Sequence, residues 1–228
     1  MTADVTISCI VPAYNEASRI AAVLEVVAGH PLIDEVIVID DGSTDGTSDV
    51  VAEIEGVTLI RQTPNKGKTW AVTVGIEAAK GSHLLLVDAD LLGLSVSDIG
   101  ALIEPVRSGQ ADVTISLRRN APKLWHLIGI DYISGERVIS KDLLGDQIDA
   151  MRQLPKFGLE VFMNDLLLAQ RSRIAIVKWP DVKSPFKNQK MGWRKGIMAD
   201  VRMIRDMFGA VSPARICLQI LKMRKSRI

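Results

Sequence analysis

Five short apolar runs recur through the first half of this chain: residues 6–13 (TISCIVPA), 35–40 (EVIVID), 56–62 (GVTLIRQ), 83–89 (HLLLVDA) and 112–117 (DVTISL). Each is rich in Val, Ile and Leu and apolar nearly throughout, as strands buried on both faces are. Residues 16–29, 46–55 and 67–80 lie between them and read as helices; the middle one follows Ser43, Thr44 and Asp45, good capping residues. Strand–helix–strand alternation of this kind predicts an α/β fold, a mostly parallel doubly wound sheet with helices on both faces. Ligands of such sheets sit at the carboxyl ends of the strands, so the residues ending each strand carry the functional question.

Beyond residue 118 the pattern loosens. Residues 118–156 predict loops and short helices over the sheet edge. Residues 159–172 predict a helix, 173–179 a short strand, and 184–196 a polar basic loop. Residues 197–208 and 213–225 read as amphipathic basic helices.

Charge divides the chain in two. The formal net charge is +1, yet residues 183–228 hold 12 Lys/Arg against 2 Asp/Glu, and residues 1–182 hold 16 against 25. We therefore expect an acidic body, residues 1–182, carrying a basic helical tail, residues 183–228, with an anionic partner for the tail. A hydrophobic fraction of 47% excludes a disordered chain, and no apolar run reaches the roughly 18 residues of a spanning helix. The N-terminal residues lack the basic and long apolar regions of a signal peptide, and Cys9 and Cys217 have no metal-type spacing. A cytoplasmic protein with reduced thiols is the expectation.

Four strand ends carry polar clusters. Pro12-Ala13-Tyr14-Asn15-Glu16 follows the first strand and Asp40-Asp41-Gly42-Ser43-Thr44-Asp45-Gly46-Thr47 the second. Asn65-Lys66-Gly67-Lys68 follows the third, and Asp88-Ala89-Asp90 ends the fourth. Each alone reads as a cap, a turn or surface charge; four on one sheet edge point to a nucleoside diphosphate. Tyr14 can stack on a base, Asp41 can accept from a ring N–H of uracil or guanine, and Glu16 can accept from ribose hydroxyls. Lys68 opens a helix after a Gly-flanked loop, where it and the helix dipole neutralise phosphate. Two carboxylates one residue apart, Asp88 and Asp90, suit a hard divalent cation shared with phosphates.

The stretches VPAYNE (11–16), VIDDGSTDGT (38–47), NKGKTWAVTVGIEAAKG (65–81) and LLLVDAD (84–90) together resemble glycosyltransferase family 2, inverting enzymes of the GT-A fold. SGERVI (134–139) and FGLEVFMNDL (157–166) are similar to the polyprenyl- and dolichol-phosphate sugar transferases within it, and less closely to glucosyl-phosphoglycerate synthases. The resemblance implies a UDP- or GDP-hexose donor, with Pro12, Tyr14, Glu16, Asp40 and Asp41 around the nucleoside, Lys68 on the diphosphate, and Asp88, Ala89 and Asp90 in the Asp-x-Asp place. Mg²⁺ or Mn²⁺ would sit on Asp90 and Asp88. Glu160 would face donor sugar or acceptor, with an exposed helical Glu as the plain alternative. Arg118, Arg119 and Arg137 offer bidentate contacts to an anionic acceptor, Arg137 most of all.

Two departures shape the expected chemistry. Many members carry an adjacent pair of acidic residues as base in the second half, and none occurs here; a phosphate acceptor needs none, being already an anionic nucleophile. Several supply a late histidine metal ligand, whereas the last histidine here is His126, and His30, His83 and His126 read as structural. The expectation is transfer of a hexose to a phosphate-bearing acceptor, polyprenyl phosphate at the cytosolic membrane face, with the basic tail on an anionic leaflet. The tail alternatives are packing on the acidic body and homodimerisation; nucleic acid is not expected, since aromatics are scarce and no recognition motif occurs. The competing functions are the same chemistry on a soluble acceptor such as a phosphoglycerate, and a non-catalytic nucleotide-binding subunit. A sugar nucleotidyltransferase ranks low, because PAYNE stands where its Gly-rich basic signature belongs.

Overall fold

The structure, a computed structural model, describes residues 5–154, 158–185 and 212–228. In chain order the elements are β1 (Ile7–Ala13), α1 (Ile20–Val27), β2 (Glu35–Asp40), α2 (Thr47–Ala52), β3 (Val57–Arg61), α3 (Lys68–Ala78), β4 (His83–Leu86) and α4 (Val96–Arg107). There follow β5 (Val113–Arg118), α5 (Lys123–Ile128), β6 (Arg137–Ser140), α6 (Lys141–Gly145), α7 (Ile148–Arg152), α8 (Gly158–Ala169), β7 (Ile174–Trp179) and α9 (Pro213–Lys225). The strands form one seven-stranded sheet, ordered β3-β2-β1-β4-β6-β5-β7. Four pairings are parallel; β6 pairs antiparallel with both β4 and β5.

Six strands therefore run in one direction, with their carboxyl ends on one edge, and β6 runs against them. Residues 118–156 were expected to lie over the sheet edge; β6 instead sits inside the sheet, which corrects that expectation. Arg137, Val138 and Ile139 are fully buried there. Because β6 is reversed, the residues before it, Ser134-Gly135-Glu136, arrive at the same edge as the ends of β1, β2, β4 and β5.

The apolar strands divide their side chains between two cores, as a sheet covered on both faces requires. One core gathers Ile10, Ile37, Leu84, Ile115 and Ile139 under α3, α8 and α9; the other gathers Cys9, Val38, Leu85 and Trp179 under α1 and α4. Helix α4 was not anticipated, although Ser95 and Asp98 form a complete capping box at its start. Among the described residues no helix is long and apolar enough to cross a membrane.

Helix α9 forms over the residues expected. Ser212 caps its N-terminus, accepting from the Arg215 N–H, and Pro213 takes the first turn, where its missing N–H costs nothing. It packs on α8: Ile216 and Met223 are buried, and Arg215 donates to Asp165 at 2.5 Å. The following residues run beside β7, where the Ile228 N–H donates to the Ile174 carbonyl at 3.0 Å. The helix expected over 197–208, and the basic loop beyond Pro185, lie outside the described residues.

Candidate active site

The loops after β1 and β2 meet at one end of the sheet edge, tied together by side-chain-to-backbone hydrogen bonds. Asn15 holds a left-handed φ of 55°, a conformation Asn tolerates better than most residues. Its N–H donates to Ser43 Oγ and its Oδ1 accepts from the Thr44 N–H, both at 2.9 Å. The Glu16 N–H donates to Thr47 Oγ1 at 2.8 Å, while the Glu16 carboxylate pairs with Arg19. Helix α1 consequently starts at Ile20 rather than at residue 16. Tyr14 is left half-exposed at the rim beside Pro12.

Asp40 and Asp41 are both buried, and both accept from the backbone of neighbouring loops, Asp40 from a hydroxyl as well. Asp40 accepts from the Ser43 N–H and from Ser48 Oγ. Asp41 accepts from the Lys66 N–H at 2.9 Å and the Gly67 N–H at 2.6 Å. Each Asp41 oxygen keeps a second lone pair, so binding the loop does not exhaust its acceptor capacity. Gly67, at φ 94° and ψ 160°, takes a backbone conformation that essentially only glycine adopts, and so turns the chain into α3 with Lys68 at its first position.

Lys68 reaches across the edge to the end of β4. Its ammonium donates to Asp88 Oδ1 at 2.6 Å and lies 3.9 Å from Glu160 Oε1, at the start of α8. Gly135 closes the other side: a Cβ there would fall 2.9 Å from Lys68 Nζ and 3.2 Å from Asp88 Oδ1. Only a glycine lets the loop before β6 approach this pair so closely. A narrow pocket lined by Pro12, Lys68, Asp88, Gly135, Leu159 and Glu160 marks the meeting point.

The electrostatics separate the two aspartates. Burial opposes ionisation of Asp88, but Lys68 and then Arg118 outweigh it and hold the carboxyl below its usual range. Asp90 is pushed up to about 6, by burial first and then by the charges of Asp88 and Glu16. An excess of negative charge beside a carboxylate pair that offers only oxygen donors fits a hard divalent cation. Among the described residues no cluster of three or more His, Cys, Asp or Glu side chains is arranged to hold a metal. Asp88 and Asp90 would therefore share the cation with phosphate and water oxygens. Ala89 is buried between them.

A second layer of charge lies behind this pair. Arg118, at the end of β5, pairs with Glu136 at 3.2 Å and Asp131 at 3.6 Å, and donates to Ser184 Oγ. Arg137 is completely buried: it donates to the Ser134 carbonyl and to Asn164 Oδ1, and its Nε has no partner. Burial depresses its pKa, against the pull of Glu160 and Glu136. Arg118 thus stands at the site's margin, whereas Arg137 lies beneath the site and does not open onto it.

Glu136 and Asp131 were not singled out from the sequence. Glu136 is fully buried and accepts from Ser116 and Ser134, and Asp131 is buried with both oxygens lacking a hydrogen-bond donor. Burial raises Asp131 to about 6, against Arg118. The available signal was position: both flank the Ser134-Gly135 step already noted beside Arg137. His30 and His126 lie in hydrogen-bond contact with the carbonyls of Val96 and Arg119, and His83 with Ser82 Oγ. Cys9 is buried and Cys217 exposed, both as free thiols.

The chain is similar to known proteins in sequence and in fold. The family model described as Glycosyl transferase family 2 matches residues 8–155. An undecaprenyl-phosphate 4-deoxy-4-formamido-L-arabinose transferase of Aeromonas hydrophila is 35% identical over 128 residues, 52% of this chain and 39% of that protein. A dolichyl-phosphate beta-glucosyltransferase of Dictyostelium discoideum is 26% identical over 178 residues, 72% of this chain and 50% of that protein. The chain thus matches half or less of the length of either relative. Among solved structures, glucosyl-3-phosphoglycerate synthase from Mycobacterium tuberculosis, in complex with Mn²⁺, UDP and glucosyl-3-phosphoglycerate, superposes with a TM-score of 0.68. That likeness covers 91% of this chain and 80% of the other at 23% identity, and it speaks for the GT-A fold.

Proposed function

The chain belongs to glycosyl transferase family 2, and on that footing we propose that it moves a hexose from a UDP- or GDP-sugar to polyprenyl phosphate at a membrane face, inverting the anomeric carbon. The observation that carries the reading is the meeting of Lys68, Asp88 and Asp90 at one sheet edge, with Arg118 behind them, paired with Glu136 and Asp131.

In this reading the nucleoside lies over Tyr14 and Pro12, with Asp41 and Glu16 as acceptors for base and ribose. The diphosphate lies along the Gly67–Lys68 turn, where the α3 N-terminus and the Lys68 ammonium face it. Mg²⁺ or Mn²⁺, held by Asp90 and Asp88, would supply Lewis-acid stabilisation of the leaving diphosphate. Glu160 holds Lys68 from the far side, so that the ammonium can turn from Asp88 to phosphate without losing all its counter-charge. An acceptor phosphate oxygen, oriented by Arg118, forms the new bond to the anomeric carbon. The bond from that carbon to the donor phosphate breaks, and its electrons leave with the nucleoside diphosphate. No proton has to be removed from the nucleophile, which fits a second half without an adjacent acidic pair.

Calorimetry and thermal-shift measurement against UDP-, GDP- and dTDP-sugars with Mn²⁺ test the donor half. One nucleotide class should raise the melting point in the wild type and fail to do so in Asp90→Asn. Equal shifts in both proteins would remove the metal–diphosphate assignment.

A further inference from the structure

Of the apolar residues that the sequence suggests for membrane contact in 213–225, Ile216, Ile220, Leu221 and Met223, all but Leu221 are taken up by the body. Ile216 and Met223 are buried on the body and Ile220 is half-buried. The opposite face of α9 is the open one: Leu218 is 52% exposed and Leu221 58%, with the exposed Lys222 and Lys225 at neighbouring helical positions. No acidic residue occurs from Ser212 to Ile228.

A second pair of exposed leucines stands on α5, Leu124 at 50% and Leu127 at 84%. They are one helical turn apart, and hence on one face. Trp125 points the other way, buried, its ring 5.9 Å from that of Tyr132, whose hydroxyl donates to Gln219 of α9. Arg227, just after α9, donates to the carbonyl of Gly129, the C-cap of α5, at 3.2 Å. The two helices are therefore joined at both their buried sides and their ends. Residues 119–130 also contain no Asp or Glu.

The α5 excursion has its two ends at the site. It leaves from Arg118 and returns at Asp131, 3.6 Å from the Arg118 guanidinium. Whatever Leu124 and Leu127 rest on is one short helix away from the arginine assigned above to the acceptor phosphate.

We propose that the outward faces of α5 and α9 together form the surface by which the chain lies on an anionic bilayer, with Leu124, Leu127, Leu218 and Leu221 entering the acyl boundary. The occupant follows from the mixture. Two separated leucine pairs among lysines, with no carboxylate on either segment, suit apolar insertion beneath anionic headgroups, where lysine stems also contribute apolar contact. This inference rests on the lipid-acceptor reading and deepens it: a bilayer at α5 delivers a lipid phosphate beside Arg118, with the prenyl chain leaving along the leucines.

The test is co-sedimentation of the full chain with vesicles of phosphatidylcholine alone, or mixed with phosphatidylglycerol, in the absence of donor and acceptor. The wild type should pellet with the anionic vesicles and be released by salt. Leu127→Glu, and separately Leu218→Ser with Leu221→Ser, should each lower the partition coefficient by about tenfold or more at unchanged melting temperature. The α9 pair keeps the test open if Leu127→Glu disturbs folding. A wild type that stays in the supernatant with both vesicles overturns the proposal. So do variants that pellet as the wild type does, or a concentration-dependent dimer that the same substitutions abolish. Transfer to a short, water-soluble isoprenyl phosphate separates the two readings. Vesicle binding without transfer contradicts the lipid-acceptor function and leaves this surface standing; transfer without vesicle binding does the reverse.

Discussion

Lys68 donates a 2.6 Å hydrogen bond to Asp88, so the ammonium that opens α3 and the first carboxylate of the Asp-x-Asp pair neutralise each other across the sheet edge. A diphosphate and a divalent cation arriving together would satisfy both partners: the ammonium turns to phosphate and the carboxylate to the metal. Lys68→Met should therefore weaken nucleoside-diphosphate binding and lower kcat/KM by about 100-fold, the scale of losing a preorganised charge at a leaving group. Steady-state kinetics and calorimetry check it; a change within about twofold would make Lys68 a surface residue.

Asp90 links the site to stability. Its carboxyl titrates near 6 in the folded chain against an ordinary 3.8. Between those values the folded chain keeps a proton that the unfolded chain has released, so stability falls as pH rises from about 4 to about 6, and the loss persists at neutral pH. Asp90→Asn should accordingly raise the melting temperature by a few degrees, roughly 2–4 °C at neutral pH without divalent cation, while stopping transfer. Mn²⁺ should stabilise the wild type and not the variant, and should bind the wild type more weakly as pH falls below about 6, where protons compete for Asp90. Scanning calorimetry across this pH range measures each effect.

Gly135→Ala separates geometry from folding. The added Cβ would press on the mobile end of Lys68 and on Asp88, at 2.9 and 3.2 Å, and meet no backbone atom as closely. Stability should change by less than about 1 kcal/mol, since a flexible side-chain end can move aside. Catalytic efficiency should fall about tenfold, because moving reacting groups by about 1 Å costs far more in rate than in stability. Denaturant unfolding beside kcat/KM reads both, and an unfolded or a fully active variant would contradict this account.

Arg137 should behave in the opposite way. It is fully buried and donates to the Ser134 carbonyl and to Asn164 Oδ1, so Arg137→Met leaves these buried acceptors without their donor. A loss of about 1–3 kcal/mol in unfolding free energy is expected. Acceptor KM in whatever folded fraction remains should move far less than in Arg118→Ala. A selective rise in acceptor KM at full stability would return Arg137 to the acceptor site.

The half of the fold that was legible is the half whose signal is local. Strands β1, β2 and β4 are buried on both faces and read as unbroken apolar runs, whereas β3, expected to be buried likewise, is the edge strand of the sheet and only partly covered; the ends of all four carried the polar clusters that converge. The short β6 had no such signal: Arg137–Ser140 is four residues between Gly-Glu and Lys-Asp, and its antiparallel place depends on β4 and β5, distant in sequence. That reversal brings Gly135 and Glu136 to the site. Asp41 was legible as a strand-end carboxylate, but its bonds to Lys66 and Gly67 depend on how the β3–α3 loop folds back. In α9 the period of 3.6 was plain, yet amphipathicity cannot say which apolar residues the body takes; Ile216 and Met223 are covered while Leu218 and Leu221 are open.

The central claim is hexose transfer from a nucleotide sugar to a polyprenyl phosphate through the Lys68–Asp88–Asp90 site. The direct measurement is extraction of radiolabelled sugar into organic solvent after incubation with UDP- or GDP-hexose, Mn²⁺ and polyprenyl phosphate, beside a parallel reaction on 3-phosphoglycerate. Label should appear in the organic phase with one nucleotide class and be lost in Asp90→Asn and Lys68→Met. Label that appears only on the water-soluble acceptor, or an organic phase that stays empty with every donor, would contradict it.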